Sequence, residues 1–363
     1  MLYLLGTGIY NTFETSNSIE ILKNCDRVYV EKFTSPLSGN FIKILKSAIG
    51  PEKKIEFVKR WFVEDGRQLL EESRTLNVGL ISYGDPAIAT TFTELRIRAI
   101  KNNIQVKVLH AASGITSIVG ECGLQIYKIG KSVTIMEEKQ SAVSVYGTVF
   151  GNLNLNCHTI ILTEYRQCED GSEFFLKPSH AFSKLLEVEK DIKYGIVSED
   201  TFLIVASRIG CDDQKIFSGN IKSLLAVDYG KGPHSIIFPA KLHFTEEEAI
   251  INLTEVLDKP SDNTQRLENI STQMINKYEP MIRNEIKQVR ESIGSKSESK
   301  AQLELLENAE YYLDDAVQFL RQGRMELAVL SVGYADGLVD ALKQILEGKR
   351  ASNMGRNPPC DNF

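Results

Sequence analysis

Residues 78–91 read VGLISYGDPAIATT, and this stretch indicates the fold class. Residues 78–82 form a short run of apolar and small side chains, which a turn sequence, Tyr83-Gly84-Asp85-Pro86, follows directly. Such a run, ended by turn residues, is typical of a strand buried in a parallel sheet. Open α/β sheets bind their ligands at the carboxyl ends of the strands. The stretch therefore predicts a strand with a candidate ligand loop at its end.

The loop after this strand has two interpretations. In the first, Gly84 lets the backbone approach a ligand closely, and the Asp85 carboxylate offers acceptors to hydroxyl or ammonium groups. In the second, Pro86 begins a helix that Thr90 and Thr91 cap, and the loop holds no ligand. These residues by themselves favour neither interpretation.

The same alternation of short apolar runs and helical patterns extends on both sides of this stretch. Strand-like runs occupy residues 2–5, 27–30 and 106–109, and helical spacing occupies residues 18–22 and 93–101. Buried strands that alternate with helices predict a parallel sheet with crossover helices. We expect an α/β domain over residues 1–112.

A second, more strand-rich region follows. Strand candidates lie at residues 132–136, 159–163, 202–206 and 235–238, and residues 181–188 have helical spacing. This pattern predicts an α+β domain over residues 113–250.

The composition changes after Glu246. The polar segment Pro260-Ser261-Asp262-Asn263 is interpreted as a linker with a helix cap. Three helical stripes follow over residues 263–349, and they predict a helical bundle. Their apolar members are Leu267, Ile270, Met274, Tyr278, Ile282, Ile286, Val289 and Ile293; Leu305, Ala309, Leu313, Ala316 and Leu320; and Leu327, Leu330, Tyr334, Leu338, Ala341 and Ile345. Tyr312, Tyr334 and Leu338 are expected in the bundle core. Residues 350–363 are expected to form a disordered tail.

Charge, cysteine usage and hydropathy exclude several classes of protein. The 363 residues carry 42 basic and 48 acidic side chains, so the net charge of −6 disfavours a dominant nucleic-acid-binding role. The six cysteines are scattered without a Cys-x-x-Cys pair, which disfavours a structural zinc site and a disulfide framework. No apolar stretch approaches the roughly 20 residues that span a bilayer. We expect a cytoplasmic protein without a metal site or a membrane segment.

Three further loops are candidates for ligand contact. Gly6-Thr7-Gly8 follows the first strand, but Asn11 stands where a dinucleotide fingerprint needs its third glycine, so a nicotinamide site is disfavoured. His110-Ala111-Ala112-Ser113-Gly114 follows another strand and has small side chains that fit either a ligand or close packing. Residues 232–244 carry two of the five histidines. No serine, histidine and acid arrangement indicates a hydrolase triad.

A series of motifs occurs in a fixed order along the first 245 residues or so. They are Gly6-x-Gly8-x-Tyr10, Tyr29-Val30-Glu31 with Thr34-Ser35, Gly84-Asp85-Pro86 with Ala89-Thr90-Thr91, Glu94-Leu95-Arg96, Val119-Gly120, Gly123-Leu124-Gln125-Ile126-Tyr127-Lys128, Gly130-Lys131, His158-Thr159 and the segment from His234 to His243. Through these motifs the chain resembles the diphthine synthases, which belong to the tetrapyrrole-methylase-like class of methyltransferases. The helical bundle is similar to an archaeal helical domain of unknown function, through Tyr311-Tyr312, Asp314-Asp315-Ala316 and Tyr334 to Ala341.

The resemblance implies a fold, a cofactor and a substrate. It implies two α/β domains with S-adenosylmethionine in the cleft between them, followed here by the C-terminal α-helical bundle, and a homodimer. The implied reaction methylates the amino group of a 3-amino-3-carboxypropyl-histidine on translation elongation factor 2. Carried over by motif, the cofactor contacts are Ile9, Asp85, Ile88, Ser113, Gly114, Thr163, Ile209 and His234. No catalytic base is assigned, although His234 is one candidate.

The chain also departs from the family pattern. Asn11 replaces Asp, Phe92 replaces His, Gly114 replaces Ile, Thr163-Glu164 replaces Leu-Asp, Ile209 replaces Ala, and Ala240 replaces Gly. Two other functions therefore stay open. One is a methyltransferase of the same fold for a tetrapyrrole or another small molecule, and the other is a non-catalytic S-adenosylmethionine-binding scaffold.

Overall fold

A computed structural model describes residues 1–9, 16–34, 39–168, 170, 172–266, 270–293 and 300–353. Tyr10, Asn11, Ser35, Leu267 and residues 354–363 lie outside the described residues. The chain forms two compact units, Met1–Leu267 and Glu268–Phe363.

The first unit begins with a fully parallel sheet. Its strands are β1 (Leu2–Gly6), β2 (Arg27–Glu31), β3 (Ile55–Val58), β4 (Val78–Ser82) and β5 (Val106–Leu109), in the spatial order β3-β2-β4-β1-β5. The helices along this part are α1 (Ser16–Lys23), α2 (Gly39–Ile49), α3 (Arg60–Asp65), α4 (Arg67–Ser73), α5 (Phe92–Lys101) and α6 (Gly114–Glu121). Leu80 belongs to one apolar cluster and Ile81 to another, so β4 is buried on both faces. This two-sided burial explains the continuous apolar run from which the strand was predicted.

A mixed sheet forms the rest of the first unit. Its strands are β6 (Val133–Ile135), β7 (Thr159–Thr163), β10 (Phe202–Ser207), β11 (Lys215–Asn220), β12 (His234–Phe238) and β13 (Glu255–Val256), in the order β13-β11-β10-β12-β7-β6, while β8 (Tyr165–Gln167) and β9 (Glu173–Phe175) form a separate hairpin. The helices here are α7 (Lys139–Asn154), α8 (Pro178–Ile192), α9 (Ile221–Leu224) and α10 (Phe244–Leu253). The four predicted strands correspond to β6, β7, β10 and β12.

The segment that we predicted as a linker is built into the first unit. β13 pairs in parallel with β11, beyond the predicted domain end at residue 250. Asn263 is buried, and it begins a short 3-10 helix, Asn263–Arg266. Its Oδ1 accepts from the Phe202 N–H at 3.1 Å, and its Nδ2 donates to the carbonyls of Phe202 and Pro239, both at 2.8 Å. The linker interpretation was wrong at this residue because its amide satisfies backbone groups about 60 positions away in sequence.

Asn263→Ala is expected to lower the free energy of unfolding by about 3 kcal/mol, since it leaves three buried backbone groups without their partner. Urea unfolding of the full chain measures the effect. Asn252→Ala is the matched control, because that exposed amide only donates to the Glu248 carbonyl of its own helix. Equal stability of the two variants would contradict the structural role of Asn263.

The second unit is a bundle of three helices in its described part. They are α11 (Ile270–Ile293), α12 (Lys300–Arg321) and α13 (Met325–Asn353). The first two predicted stripes are partly right, because Ile282, Ile286 and Val289 and also Ala309, Leu313 and Ala316 form the core. α13 continues to Asn353, four residues past the predicted end of the bundle.

The predicted stripe on the third helix was wrong. Leu330 and Tyr334 are 61% and 57% exposed, and Tyr312 also reaches the surface, where its ring lies 5.1 Å from that of Tyr334. Leu338 is only partly buried against the core. The core members of α13 are instead Ala328, Val332, Ala335, Val339 and Leu342. A face with two alanines lets neighbouring helices approach closely, and the larger apolar residues then fall on the adjacent face.

Candidate active site

Three loops meet at the carboxyl edge of the parallel sheet. β1 lies between β4 and β5, so the segments after Gly6, Ser82 and Leu109 are neighbours. Gly8 and Gly84 form a two-way backbone bridge, with N···O distances of 3.3 and 3.2 Å. This bridge joins the loop after β1 to the loop after β4.

The backbone geometry at this edge of the sheet requires glycine at positions 6 and 84. A Cβ atom on Gly6 would lie 2.3 Å from the Gly84 carbonyl oxygen, and Gly84 itself has a φ of +66°. Any side chain at Gly6 would push the first two loops apart, and a left-handed φ disfavours other residues at Gly84.

Asp85 uses its carboxylate to connect two of the loops. Oδ1 accepts from the Ala87 N–H at 2.8 Å, and Oδ2 accepts from the Ala111 N–H at 3.1 Å. Oδ2 also lies 2.9 Å from His110 Nδ1. The carboxylate is buried. Its first role in this structure is therefore to hold the loop after β4 against the loop after β5.

The mixed sheet contributes the opposite side of the site. Thr163 ends β7, and its hydroxyl donates to the His234 carbonyl at 2.8 Å. His234 begins β12, with its Nδ1 atom 2.8 Å from Ser207 Oγ. Burial, and then the positive charges of Lys177 and Arg208, lower the pKa of His234 from 6.5 to about 4. Its imidazole is neutral near pH 7, and its low basicity argues against a role in deprotonating an ammonium group.

This lowered pKa predicts acid sensitivity. The unfolded chain binds a proton at His234 below pH 6.5 and the folded chain does so only near pH 4, so the free energy of unfolding falls as the pH decreases through this window. The difference corresponds to about 3 kcal/mol. His158, whose pKa burial also lowers, adds to the slope. Urea unfolding from pH 7 to pH 4 measures it.

His234→Gln should make that pH dependence shallower. His180→Gln, at an exposed position of α8, is the control and should keep the slope. A wild-type stability that does not change between pH 6.5 and pH 4 would contradict the assignment.

A cavity of about 340 Å³ lies between the parallel-sheet loops and the mixed sheet. This volume is within the range of small-molecule sites. Of the eight predicted contact residues, seven line it: Asp85, Ile88, Ser113, Gly114, Thr163, Ile209 and His234. Ile9 does not line it. The Ile9 side chain packs against Gly210, and a Cβ atom on that glycine would lie 2.7 Å from Ile9 Cγ1. The Ile9 carbonyl accepts a hydrogen bond from the Tyr83 hydroxyl at 3.0 Å.

Sequence reasoning missed several lining residues. They include Phe33, Arg60, Tyr165 and Arg208, whereas Tyr83 lies in the candidate ligand loop that the sequence already indicated. All of them stand one to two residues after the end of a strand, which is a usable signal because strand ends collect at this edge. Arg60 follows β3, which was not among the predicted strands, so the signal was missing there.

The departures from the family pattern fall into two groups. Phe92 and Ala240 are buried in apolar clusters and do not line the cavity. Gly114 and Ile209 both line it, and a Cβ atom on Gly114 would meet nothing within 4 Å. Hence a small residue opens the cavity on one side, while a large residue fills it on another.

Two further classes of feature are absent from the described part of the chain. No group of three or more His, Cys, Asp or Glu side chains that could hold a metal ion occurs there. None of its helices is long and apolar enough to cross a membrane.

Comparison with known proteins identifies the first unit. Residues 1–225 match the family of Tetrapyrrole (Corrin/Porphyrin) Methylases. The diphthine synthase of Methanocaldococcus jannaschii is 36% identical over 259 residues, which cover 70% of this chain and 99% of that protein. The chain belongs to the diphthine synthase family of tetrapyrrole methylases.

Other members of the diphthine synthase family extend this result. The diphthine methyl ester synthase of Dictyostelium discoideum is 36% identical over 265 residues, covering 68% of this chain and 96% of that protein. A crystal structure from Entamoeba histolytica that carries the diphthine synthase name has a TM-score of 0.63 at 31% identity, over 72% of this chain and 99% of that one. Residues 277–346 match a second family, described as Protein of unknown function (DUF357).

Proposed function

We propose that this chain transfers methyl groups from S-adenosylmethionine to the amino group of 3-amino-3-carboxypropyl-histidine on translation elongation factor 2, giving diphthine. The observation that carries the proposal is the convergence of seven residues, selected by family motif, on one cavity. The names of the relatives supply the substrate class.

The cavity suits the proposed cofactor. Ile88, Ile115, Ile118, Leu162 and Ile209 give it apolar walls, and helix α6 directs its N-terminus to it, with Ser113 as the cap. The open space beside Gly114 leaves room for a ligand against the backbone. When bound, S-adenosylmethionine supplies an electrophilic methyl group on a sulfonium ion.

The chain's own residues then act by positioning. An amine that attacks in line with the departing sulfur gains most of its acceleration from being held in near-attack geometry. Three aromatic residues, Phe33, Tyr83 and Tyr165, line the same cavity. Their rings suit a product whose nitrogen carries a permanent positive charge. Because His234 is a weak base, water in the cleft is the proposed acceptor of the amine's protons.

The test uses purified archaeal elongation factor 2 bearing aminocarboxypropyl-histidine, S-adenosylmethionine and the full chain, with intact-protein mass spectrometry as the readout. The expected result is the mass gain of the trimethylammonium product. No gain, with cofactor binding intact, would contradict the proposed substrate and favour a small-molecule acceptor or a scaffold.

A homodimer in the cytoplasm belongs to the same proposal, because the family resemblance implies the dimer and the scattered cysteines are typical of a cytoplasmic protein. We also propose that the second unit interacts with the elongation factor or the ribosome. This interaction is tested by ending the chain after Leu267 rather than at residue 250, since β13 and Asn263 belong to the first unit. Unchanged activity and unchanged partner binding of the shortened chain would refute it.

A further inference from the structure

Arg208 has an unusual backbone conformation, with a positive φ. Five described residues other than glycine have a positive φ. Asn103 and Asn156 are asparagines, which tolerate this conformation, and Lys193 ends helix α8. The other two, Ala89 and Arg208, both line the cavity. Strained backbone that coincides with a cavity points to a functional constraint there.

Hydrogen bonds hold the Arg208 side chain in place but use only part of its N–H donors. Its Nε donates to Asp213 Oδ1 at 2.6 Å, and its Nη1 donates to the Gly232 carbonyl at 3.3 Å. A guanidinium has five N–H donors. The other three have no partner among the described residues. The pair with Asp213 is no sufficient reason for the strain, because Asp213 is 63% exposed and such pairs contribute little.

Arg208 also differs from the other charged residues of the cavity wall in its partners and its exposure. Within the described part of the chain, the charged residues that line the cavity are Arg60, Asp85 and Arg208. Asp85 is engaged by backbone N–H groups, and the Arg60 side chain is 60% exposed, beside Glu64 and over the Phe33 ring. The Arg208 side chain is 24% exposed. Its charge also acts on Tyr83 and His234, which line the same cavity.

A planar guanidinium with free donors is suited to a carboxylate, which it can bind through two parallel hydrogen bonds. We propose that Arg208 binds the carboxylate of an α-amino acid group in this cleft. The assignment rests on the proposed function, in which two molecules carry that group. S-Adenosylmethionine ends in an α-amino carboxylate, and so does the 3-amino-3-carboxypropyl side chain of the acceptor.

The test separates these two sources. S-Adenosylhomocysteine carries the amino acid group and 5′-methylthioadenosine lacks it, so calorimetric titration of full-length protein with both isolates the carboxylate. If the cofactor supplies it, Arg208→Met weakens S-adenosylhomocysteine binding by about tenfold to a hundredfold and leaves 5′-methylthioadenosine unchanged. Arg208→Lys restores only part of the affinity, because an ammonium cannot form the paired hydrogen bonds.

If the acceptor supplies the carboxylate, Arg208→Met leaves both titrations unchanged and raises the KM for the elongation factor more than it lowers kcat. Asp213→Asn tests the alternative that Arg208 only braces its loop. The proposal is overturned if both titrations and the KM stay within about twofold. It is also overturned if both ligands weaken in parallel and Asp213→Asn has the same effect. A wild-type chain that binds S-adenosylhomocysteine without methylating the elongation factor contradicts the proposed substrate and removes the acceptor as a source of the carboxylate. In that case selective weakening of S-adenosylhomocysteine by Arg208→Met supports the assignment, and two unchanged titrations overturn it.

Discussion

Asp85→Ala is expected to abolish methyl transfer and to weaken binding of S-adenosylhomocysteine by more than about tenfold. The carboxylate accepts two backbone N–H groups and contacts His110, and these contacts join the loop after β4 to the loop after β5. Hydrogen bonds to a charged group contribute about 1.5–3 kcal/mol each, so their joint loss releases both loops. Ile88, Ser113 and Gly114, which line the cavity, stand on these two segments.

Calorimetric titration measures the affinity, and two other variants make the result specific. Asp85→Asn keeps the shape but turns one acceptor into a donor that faces a backbone N–H, so we expect an affinity between those of the wild type and Asp85→Ala. Asp228→Ala is the matched control. Asp228 makes the same local contact, from its Oδ1 to the Gly230 N–H two residues on, at an exposed position. Equal affinities of Asp85→Ala and Asp228→Ala would contradict the loop-joining role.

Glu246→Gln is expected to lower the free energy of unfolding by about 3–5 kcal/mol, the range for breaking a buried ion pair. Glu246 is fully buried, and its carboxylate accepts from Lys128 Nζ at 2.6 Å. The same carboxylate accepts from the backbone N–H groups of Gln125 and His243, and it lies 3.1 Å from His158 Nε2. Because the Ala240 N–H donates to His158 Nδ1, the proton of this imidazole is on Nε2, facing Glu246.

The pH dependence of this network follows from the pKa of Glu246. Burial alone would raise that pKa, but the hydrogen bonds from His243, Lys128 and Gln125 outweigh it and lower it to about 2. The stabilisation is therefore complete above pH 4.5 and is lost as the pH falls from 4.5 towards 2.

Urea unfolding at pH 7 measures the effect of Glu246→Gln. Glu247→Gln, an exposed neighbour on the same helix, should change stability by less than about 0.5 kcal/mol. A double-mutant cycle with Lys128→Met should give a coupling energy of about 1–3 kcal/mol. Additive effects of the two substitutions would contradict the ion pair.

This network gives a structural role to three of the family motifs. Lys128 ends the run of residues 123–128, His158 precedes β7, and Glu246 follows the segment that ends at His243. None of these three residues lines the cavity. These motifs therefore stabilise the mixed sheet, while the shorter glycine-rich loops form the candidate site.

The most buried strands were predictable because their burial leaves a direct trace in sequence, whereas the more exposed β3 and β13 were missed. The predicted bounds of β4, β5 and β7 match the structure residue for residue. Both faces of a buried strand need apolar side chains, and turn residues mark the strand ends. The core face of α13 was not predictable in this way, because Ala328 and Ala335 face the bundle while Leu330 and Tyr334 face solvent.

The sequence by itself determined the fold class, the central strands of both sheets and the candidate ligand loops, but it did not predict β3, β11 or β13. The correct predictions were possible because periodicity and turn chemistry are local properties of the chain. Only the tertiary structure decided which polar groups remain free to bind a ligand. Asp85, the foremost candidate by sequence, accepts from an N–H group 26 residues away, while Arg208 has donors beside the cavity that no described residue pairs. Hydrogen-bond partners come from segments distant in sequence, and only the folded sheet brings them together.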